Sequence, residues 1–259
     1  MSIYDTYPSN PNFGSGCYRR RIRLCAQVDS VTGELEDDNH GFRVDIRHQH
    51  GKIVEVQGEA LRVPYTTCAG AVAPLRRLQG LFIGESVDAV HAQSDPRSQC
   101  THLYDLSLWA LARAAEGPGE DIYDITVDDE HPTEGGYAEI CVNGARLHRW
   151  LVRDWQLVTP EPLAGNTLYK GFSAWAAKAF SGRDLQAAQM LQKGCFVGSA
   201  RRFNLSALAG ESATTAEDVM AGACFTHMSP QIEVAVRTSG TIRDFSTAPE
   251  QLLQFKGVE

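Results

Sequence analysis

The chain has 259 residues, 43% of them hydrophobic and 22% charged, which is typical of a globular protein and excludes a largely disordered one. Its formal net charge of −8 argues against nucleic acid as the main partner, because binding to phosphates usually needs a basic surface. Since no apolar segment reaches the roughly 18 residues of a membrane-spanning helix, we expect no membrane partner.

The N-terminus, residues 1–16, is polar and rich in Pro, Ser, Asn and Gly. It lacks the charged start and the apolar core of a secretion signal, so we expect a cytoplasmic protein that begins with a flexible arm. The remainder, residues 17–259, is predicted to form a single domain.

Hairpins and two helices are predicted in the first half of the chain. Apolar and charged residues alternate over residues 41–48, which favours a half-buried strand, and a short turn joins it to a partner strand. The predicted elements are a strand over 20–28, an acidic turn over 29–39, strands over 41–48 and 52–57, and helices over 68–78 and 98–115.

The second half contains the clearest hairpin, in which Asn143-Gly144 joins two strands and favours a type I′ turn. The predicted elements are strands over 122–127, 137–142, 145–152 and 155–159, a mostly helical stretch over 166–192, a loop or short helix over 201–218, and a late strand over 231–241. Regular alternation of strands and helices is missing. We therefore predict an α+β fold in which helices pack on an antiparallel sheet built from hairpins.

A polar cluster opens the second predicted helix and is the first candidate for chemistry. Residues three apart share one face of a helix, so His102 and Asp105 can hydrogen-bond directly. Such a carboxylate fixes the tautomer of the imidazole and raises its basicity. His102 is therefore a candidate general base, with Asp105 as its orienting acid.

A second candidate base lies beside the acidic turn. Asp38 precedes His40 by two residues, and an acid next to a histidine can form a general base with its orienting carboxylate. The same residues can equally form an exposed turn.

The first predicted helix begins at a corner that combines a proline, two threonines and a thiol. Free N–H groups at such a helix start can hold an anion, and they lower the pKa of a thiol. Cys68 is thus a candidate nucleophile of a hydrolase or thioesterase, and Arg62 or Tyr65 could position its substrate. The alternative is a tightly packed helix start without a functional role.

The seven cysteines are irregularly spaced and do not form a disulfide framework. Zinc bound by Cys68, Cys100 and His102, with His40 or His48, would instead indicate a zinc-stabilised binding protein without catalytic activity. No CxxC or HExxH pair supports this alternative, and no glycine motif supports a nucleotide cofactor. We therefore expect neither a metal nor a cofactor.

Four segments form a recognisable series at Arg20–Leu24, Leu35–Val44, Arg62–Ala71 and Gln99–Leu106. In this order they resemble a proteobacterial family catalogued as domain of unknown function 2889, over roughly residues 18 to 245. The last two segments are the most specific. In general character the chain is also similar to a sphingomonad lyase that acts on lignin-derived phenylcoumaran dimers.

The similarity to the lyase implies a cofactor-independent enzyme of aromatic catabolism that breaks a carbon–carbon bond, releases formaldehyde and leaves a stilbene. Such an enzyme needs a base, a cation for the phenolate and an aromatic pocket. The implied residues are His102 with Asp105 or His40 with Asp38 as the base, Arg62 or Arg43 at the phenolate, Tyr65 as a hydrogen-bond donor, and Trp109, Cys68 and Cys100 at the substrate. A homodimer is expected, because symmetric pairs are the commonest oligomers.

Overall fold

Eight antiparallel strands form one continuous sheet in the computed structural model, which describes residues 7–216 and 220–256. The strands are β1 (Cys17–Ala26), β2 (Ser30–Asp37), β3 (Gly41–Gln49), β4 (Lys52–Arg62), β5 (Gly119–Asp128), β6 (Gly136–Val142), β7 (Ala145–Arg153) and β8 (Gln156–Thr159). Their order is β4-β3-β2-β1-β5-β6-β7-β8, so each half of the sheet is a four-stranded meander and β1 pairs with β5 at the centre.

Each meander is followed by a long helix that packs back onto it. The main helices are α1 (Val87–Gln93), α2 (Thr101–Ala115), α3 (Phe172–Ala179) and α4 (Gly182–Gly198), and the segment Cys68–Leu78 forms a 3-10 helix. Helix α2 contacts β1, β2 and β3, whereas α4 contacts β1 and β5 to β7. The predicted α+β fold is confirmed, and the two long helices lie over the central strands.

Alternation along the strands separates an inner, helix-covered face of the sheet from an outer face. Tyr18, Arg20 and Ile22 of β1 are fully buried on the inner face, whereas Arg21 and Arg23 point the other way and are only half-buried. Most ion pairs of the sheet therefore lie on its outer face, and its inner face packs into the apolar core.

The acidic segment predicted to be a turn is the strand β2, and that prediction is wrong. Cross-strand pairing neutralises its acids, because Arg23 lies opposite Glu34 and Arg20 lies opposite Asp37. The late strand predicted over 231–241 is also wrong. Residues Gln231–Val234 form a single helical turn, and only isolated β-bridges follow.

The first six residues of the predicted N-terminal arm lie outside the described residues. From residue 7 onward the arm follows the body of the protein: the Asn10 amide donates to the Arg202 carbonyl at 2.9 Å, and Gly16 donates to Asp129 at 3.0 Å. Within the described part of the chain, every helix is too short or too polar to cross a bilayer.

Gly194 lets α4 approach the sheet closely. A Cβ atom at this position would lie 2.7 Å from Cγ2 of Ile125 on β5. We therefore expect Gly194→Ala to lower the free energy of unfolding by about 1–3 kcal/mol, because overpacking outweighs the gain in helix propensity. Urea denaturation measures this, with the exposed Gln189→Ala as control. Equal stability of Gly194→Ala and the parent protein would contradict this account of the packing.

Candidate active site

A cavity of about 310 Å³ lies between α2 and α4, above the central strands of the sheet. It is lined by Arg20 and Leu35 from the sheet, by Thr101, His102, Asp105 and Trp109 from α2, and by Gln192, Lys193, Phe196 and Val197 from α4. Several of these side chains are half-buried, so the cavity reaches solvent. Its volume is at the lower end of the range for small-molecule sites, about 300–1,000 Å³.

The turn between β2 and β3 holds His40 next to this cavity. One oxygen of Asp37, Oδ1, accepts hydrogen bonds from the backbone amides of Asn39 at 2.7 Å and His40 at 2.8 Å. The same oxygen lies 3.0 Å from Nδ1 of the His40 ring. The carboxylate therefore shapes the turn and orients the imidazole through one interaction network.

The second oxygen of Asp37 binds donors from β1. Oδ2 accepts from the Tyr18 hydroxyl at 2.8 Å and from Nε and Nη2 of Arg20 at 3.0 and 2.7 Å. Burial alone would raise the pKa of Asp37, but the charges of His40 and Arg20 and the hydrogen bond from His40 hold it well below its usual value. Asp37 is thus an ionised carboxylate in the interior at neutral pH.

His102 stacks directly on His40. The ring centroids are 3.9 Å apart with an interplanar angle of 29°, and Phe42 lies 5.8 Å from both rings. Burial and the nearby charges of His40 and Arg20 lower the pKa of His102 well below its usual value. The imidazole is therefore neutral at neutral pH, and part of it faces the cavity.

A neutral imidazole at a cavity wall, next to an Asp–His pair, can act as a general base. His102 can accept a proton from a bound molecule because its pKa keeps it unprotonated beforehand. The fixed negative charge of Asp37 favours the resulting imidazolium, since it raises the pKa of His102 against the other contributions. The arrangement supports proton abstraction from a small molecule in the cavity.

The same residues are the candidate metal ligands among those that the structure describes. Asp37, His40 and His102 each offer a ligand atom, and these atoms lie within 4.8 Å of one another. Two histidines and one carboxylate are a donor set that divalent iron and zinc accept. However, the carboxylate of Asp37 is already fully used by Tyr18, Arg20 and the turn, so a bound metal would have to displace these donors.

The predicted pairing of His102 with Asp105 is wrong. Both residues line the cavity, but Oδ2 of Asp105 forms an ion pair with Nζ of Lys193 at 2.9 Å, and no hydrogen bond joins Asp105 to His102. The helical spacing brings the two residues to one face, yet the neighbouring helix α4 supplies the stronger partner. The carboxylate that contacts the stacked histidines is Asp37, through Nδ1 of His40.

Neither Arg62 nor Arg43 lines the cavity, so the predicted phenolate-binding role of either one does not fit this site. Arg62 is buried and donates to the carbonyls of Asp38, His40 and Thr241 and to the carboxylate of Glu36. Arg62 therefore fixes the backbone of the turn that carries His40.

Arg43 is held on the outer face of the sheet. It is paired there with Glu34 at 2.9 Å and with Glu59 at 3.4 Å. Alternation along β3 directs it away from the helices, opposite to the neighbouring buried Phe42.

Tyr65 and Cys68 lie in a separate small cluster and do not line the cavity. The Tyr65 hydroxyl accepts from Arg237 at 2.8 Å, and the Cys68 sulfur lies 3.2 Å from the Thr226 hydroxyl. Burial raises the pKa of Cys68, so its thiol is not activated. Cys100 is buried in the main core, and burial raises its pKa to about 12.

Asp38, the predicted partner of His40, points away from it. Its carboxylate pairs with Arg201 at 3.0 Å, and its other oxygen is buried without a partner. Asp37 is the last residue of β2 and lies directly opposite the buried Arg20, whereas Asp38 is the first residue beyond the strand. Burial raises the pKa of Asp38 to about 7, against the opposing charge of Arg201.

This raised pKa makes the stability of the protein depend on pH. The folded protein binds the Asp38 proton more tightly than the unfolded chain, whose pKa is near 3.8, so stability is lost as the pH rises toward about 7. Asp38→Asn is expected to remove this loss, which amounts to about 3 kcal/mol between pH 5 and pH 8. Thermal unfolding at both pH values measures it. A constant difference in Tm between the two proteins would contradict the assignment.

Sequence reasoning missed Asp37, Arg20, Lys193 and Phe196. Asp37 and Arg20 carry a usable signal, since the four arginines of β1 precede a segment that holds four acids within five residues, Glu34 to Asp38. This pattern is typical of a strand pair with cross-strand ion pairs. Lys193 and Phe196 give no such signal, because only the packing of α4 against α2 brings them to the cavity.

Comparison with known families confirms part of the predicted resemblance. Residues 30–115 match the family described as "Protein of unknown function (DUF2889)". The match runs from β2 to the end of α2, and it therefore includes Asp37, His40 and His102 but not Arg20 or Lys193. Among curated proteins no significant match is found.

Proposed function

We propose that the protein is a cofactor-independent carbon–carbon lyase that releases formaldehyde from a lignin-derived dimer of the phenylcoumaran type and leaves a stilbene. The observation that carries the proposal is the position of His102, a neutral imidazole that lines a cavity and stacks on the Asp37–His40 pair. Trp109 and Phe196 line the same cavity and offer aromatic surface to a phenolic ring.

The reaction needs only acid–base chemistry. After the phenol loses its proton, its electrons expel the ether oxygen from the α-carbon and form a quinone methide. A base then removes the proton of the γ-hydroxyl group, the bond between the β- and γ-carbons breaks, and formaldehyde leaves. The electron pair of that bond forms the stilbene double bond and restores the aromatic ring. The proton taken from the γ-hydroxyl group finally passes to the expelled ether oxygen, and the restored phenolate regains from solvent the proton that it lost first. The reaction therefore involves no net oxidation.

In this scheme His102 is the catalytic base, and Asp37 and His40 are positioning residues. His102 faces the cavity and takes the γ-hydroxyl proton, while the carboxylate of Asp37 stabilises the imidazolium that forms. His40 stacks on His102 but does not itself line the cavity. The predicted cytoplasmic location and homodimeric state belong to this proposal and rest on the sequence alone.

A pH profile follows from the lowered pKa of His102. We expect kcat/KM to stay level as the pH falls from about 8 to 6.5, and to decline only at lower pH, because the free imidazole is protonated only there. Steady-state rates over this range measure it. An acid limb centred above about 6.5 would contradict the role of His102 as a neutral base.

The proposal is tested by incubating the purified protein with a phenylcoumaran dimer and quantifying formaldehyde and stilbene. We expect both products in equal amounts, and no products from the dimer whose free phenol is methylated, because that phenol cannot form a quinone methide. Cys68→Ala should keep full activity, since Cys68 lies outside the cavity. Failure of the wild-type protein to release formaldehyde would contradict the proposal.

A metal-dependent reaction is the second candidate, because Asp37, His40 and His102 bring three ligand atoms within 4.8 Å of one another. Metal analysis of the purified protein and an assay after treatment with a chelator distinguish the two candidates. We expect activity to survive chelation. A stoichiometric metal together with loss of activity on its removal would favour the second candidate.

A further inference from the structure

Lys193 is a cavity residue with no part in the proton transfer described above. It lies on α4, is half-buried, and lines the same cavity as His102. After burial and the charges of His40 and Arg20, the charge of Lys193 is a further contribution that lowers the pKa of His102. A cation is therefore available within electrostatic range of the base.

The ion pair of Lys193 can be exchanged for a ligand. Its ammonium group is paired with Asp105 at 2.9 Å, and the two side chains are 42% and 23% exposed. An exposed pair of this kind is weak, because water competes for both partners. The second cation of the cavity, Arg20, differs in this respect, since its Nε and Nη2 atoms both donate to the buried Asp37.

Aromatic side chains flank this ion pair on both helices. Trp109 follows Asp105 by four residues along α2, and Phe196 follows Lys193 by three residues along α4. These spacings place each aromatic side chain on the same helix face as the neighbouring charge, and all four residues line the cavity. A ring held between Trp109 and Phe196 can thus direct an oxygen atom to Lys193.

We propose that Lys193 binds the ionised phenol oxygen of the substrate, and that Asp105 is its counter-ion while the cavity is empty. The identity of the substrate rests on the proposed function, but the binding of a phenolate does not require turnover. The ammonium group stabilises the phenolate from which the quinone methide forms. Asp105 competes with the phenolate for the same cation, so its carboxylate weakens substrate binding.

The binding of 4-nitrophenol tests this site without any reaction. Its phenolate absorbs visible light, so ionisation on binding is observed directly as an increase in absorbance at a fixed pH. We expect the protein to bind the phenolate at least about tenfold more tightly than the neutral 4-nitroanisole, which corresponds to about 1.4 kcal/mol. Equal affinity for the two probes, or binding of neither, would overturn the proposal.

Variants of the ion pair separate a binding role from a structural one. Lys193→Met should lose about tenfold or more in affinity for 4-nitrophenolate and keep its affinity for 4-nitroanisole, and Lys193→Arg should restore phenolate binding. Asp105→Asn should bind the phenolate several-fold more tightly, whereas a merely structural pair predicts weaker binding. The exposed Lys178→Met is the control and should leave both affinities unchanged.

The outcomes of this experiment and of the lyase assay are independent. Phenolate binding through Lys193 without release of formaldehyde would support this site and contradict the proposed reaction. Formaldehyde release together with unchanged phenolate binding in Lys193→Met would support the reaction and overturn the role of Lys193.

Discussion

Replacing His102 with glutamine is expected to reduce kcat for formaldehyde release by about 10²–10⁴-fold, the usual contribution of a general base. Glutamine is polar and of similar size, but it cannot accept the γ-hydroxyl proton. The substitution leaves the hydrogen bonds of Asp37 in place, because His102 makes none of them. Substrate binding and the free energy of unfolding should therefore change little.

Steady-state kinetics, with 4-nitrophenolate binding as a test of the intact cavity, measure this effect. His131→Gln is a matched control, since His131 is exposed and does not line the cavity. An unchanged kcat in His102→Gln would exclude His102 as the base. A loss of kcat accompanied by a loss of phenolate binding would instead indicate damage to the cavity.

Replacing Asp37 with asparagine is expected to lower the free energy of unfolding by about 3–5 kcal/mol, because it leaves a buried cation without its counter-ion. The Arg20 side chain is 1% exposed and that of Asp37 is 0% exposed, so water cannot replace the lost charge. An amide has one acceptor oxygen and cannot satisfy Tyr18, Arg20, the turn amides and His40 together.

The sheet offers a matched control for this substitution. Asp124 pairs with Arg21 across β1 and β5, but these side chains are 37% and 28% exposed. Asp124→Asn should therefore cost only about 0.2–1 kcal/mol. Equilibrium denaturation in urea compares the two variants. Similar losses of stability in both would show that burial of the Arg20–Asp37 pair does not increase its contribution to the free energy of unfolding.

Elements that depend on neighbouring residues were predictable from the sequence. The hairpin at Asn143-Gly144 and the strand beginning at Gly41 follow from turn residues and alternation, and both are present. His102, which lines the cavity, was a candidate for the same reason, because a polar cluster at the start of a helix is a local pattern. Helix α2 begins at Thr101, three residues after the predicted start at residue 98, because Pro96–Ser98 forms a separate 3-10 turn.

Features that depend on register and helix packing were not predictable. The choice of Asp37 over Asp38 follows from the pairing of β1 with β2, which puts Arg20 directly opposite Asp37. In the same way, Asp105 meets Lys193 only because α2 and α4 lie side by side on the sheet. A single sequence gives the candidate residues of such a site, whereas their partners are determined by tertiary structure.

The central claim is that His102 triggers the loss of formaldehyde from a phenolic dimer bound in the cavity between α2 and α4. The most direct measurement uses a phenylcoumaran dimer labelled with carbon-13 at the γ-carbon and follows the label by NMR. With the wild-type protein we predict labelled formaldehyde in equal amount to the stilbene, and with His102→Gln almost none over the same time. A label that stays in the dimer, or that is released equally by both proteins, would contradict the account.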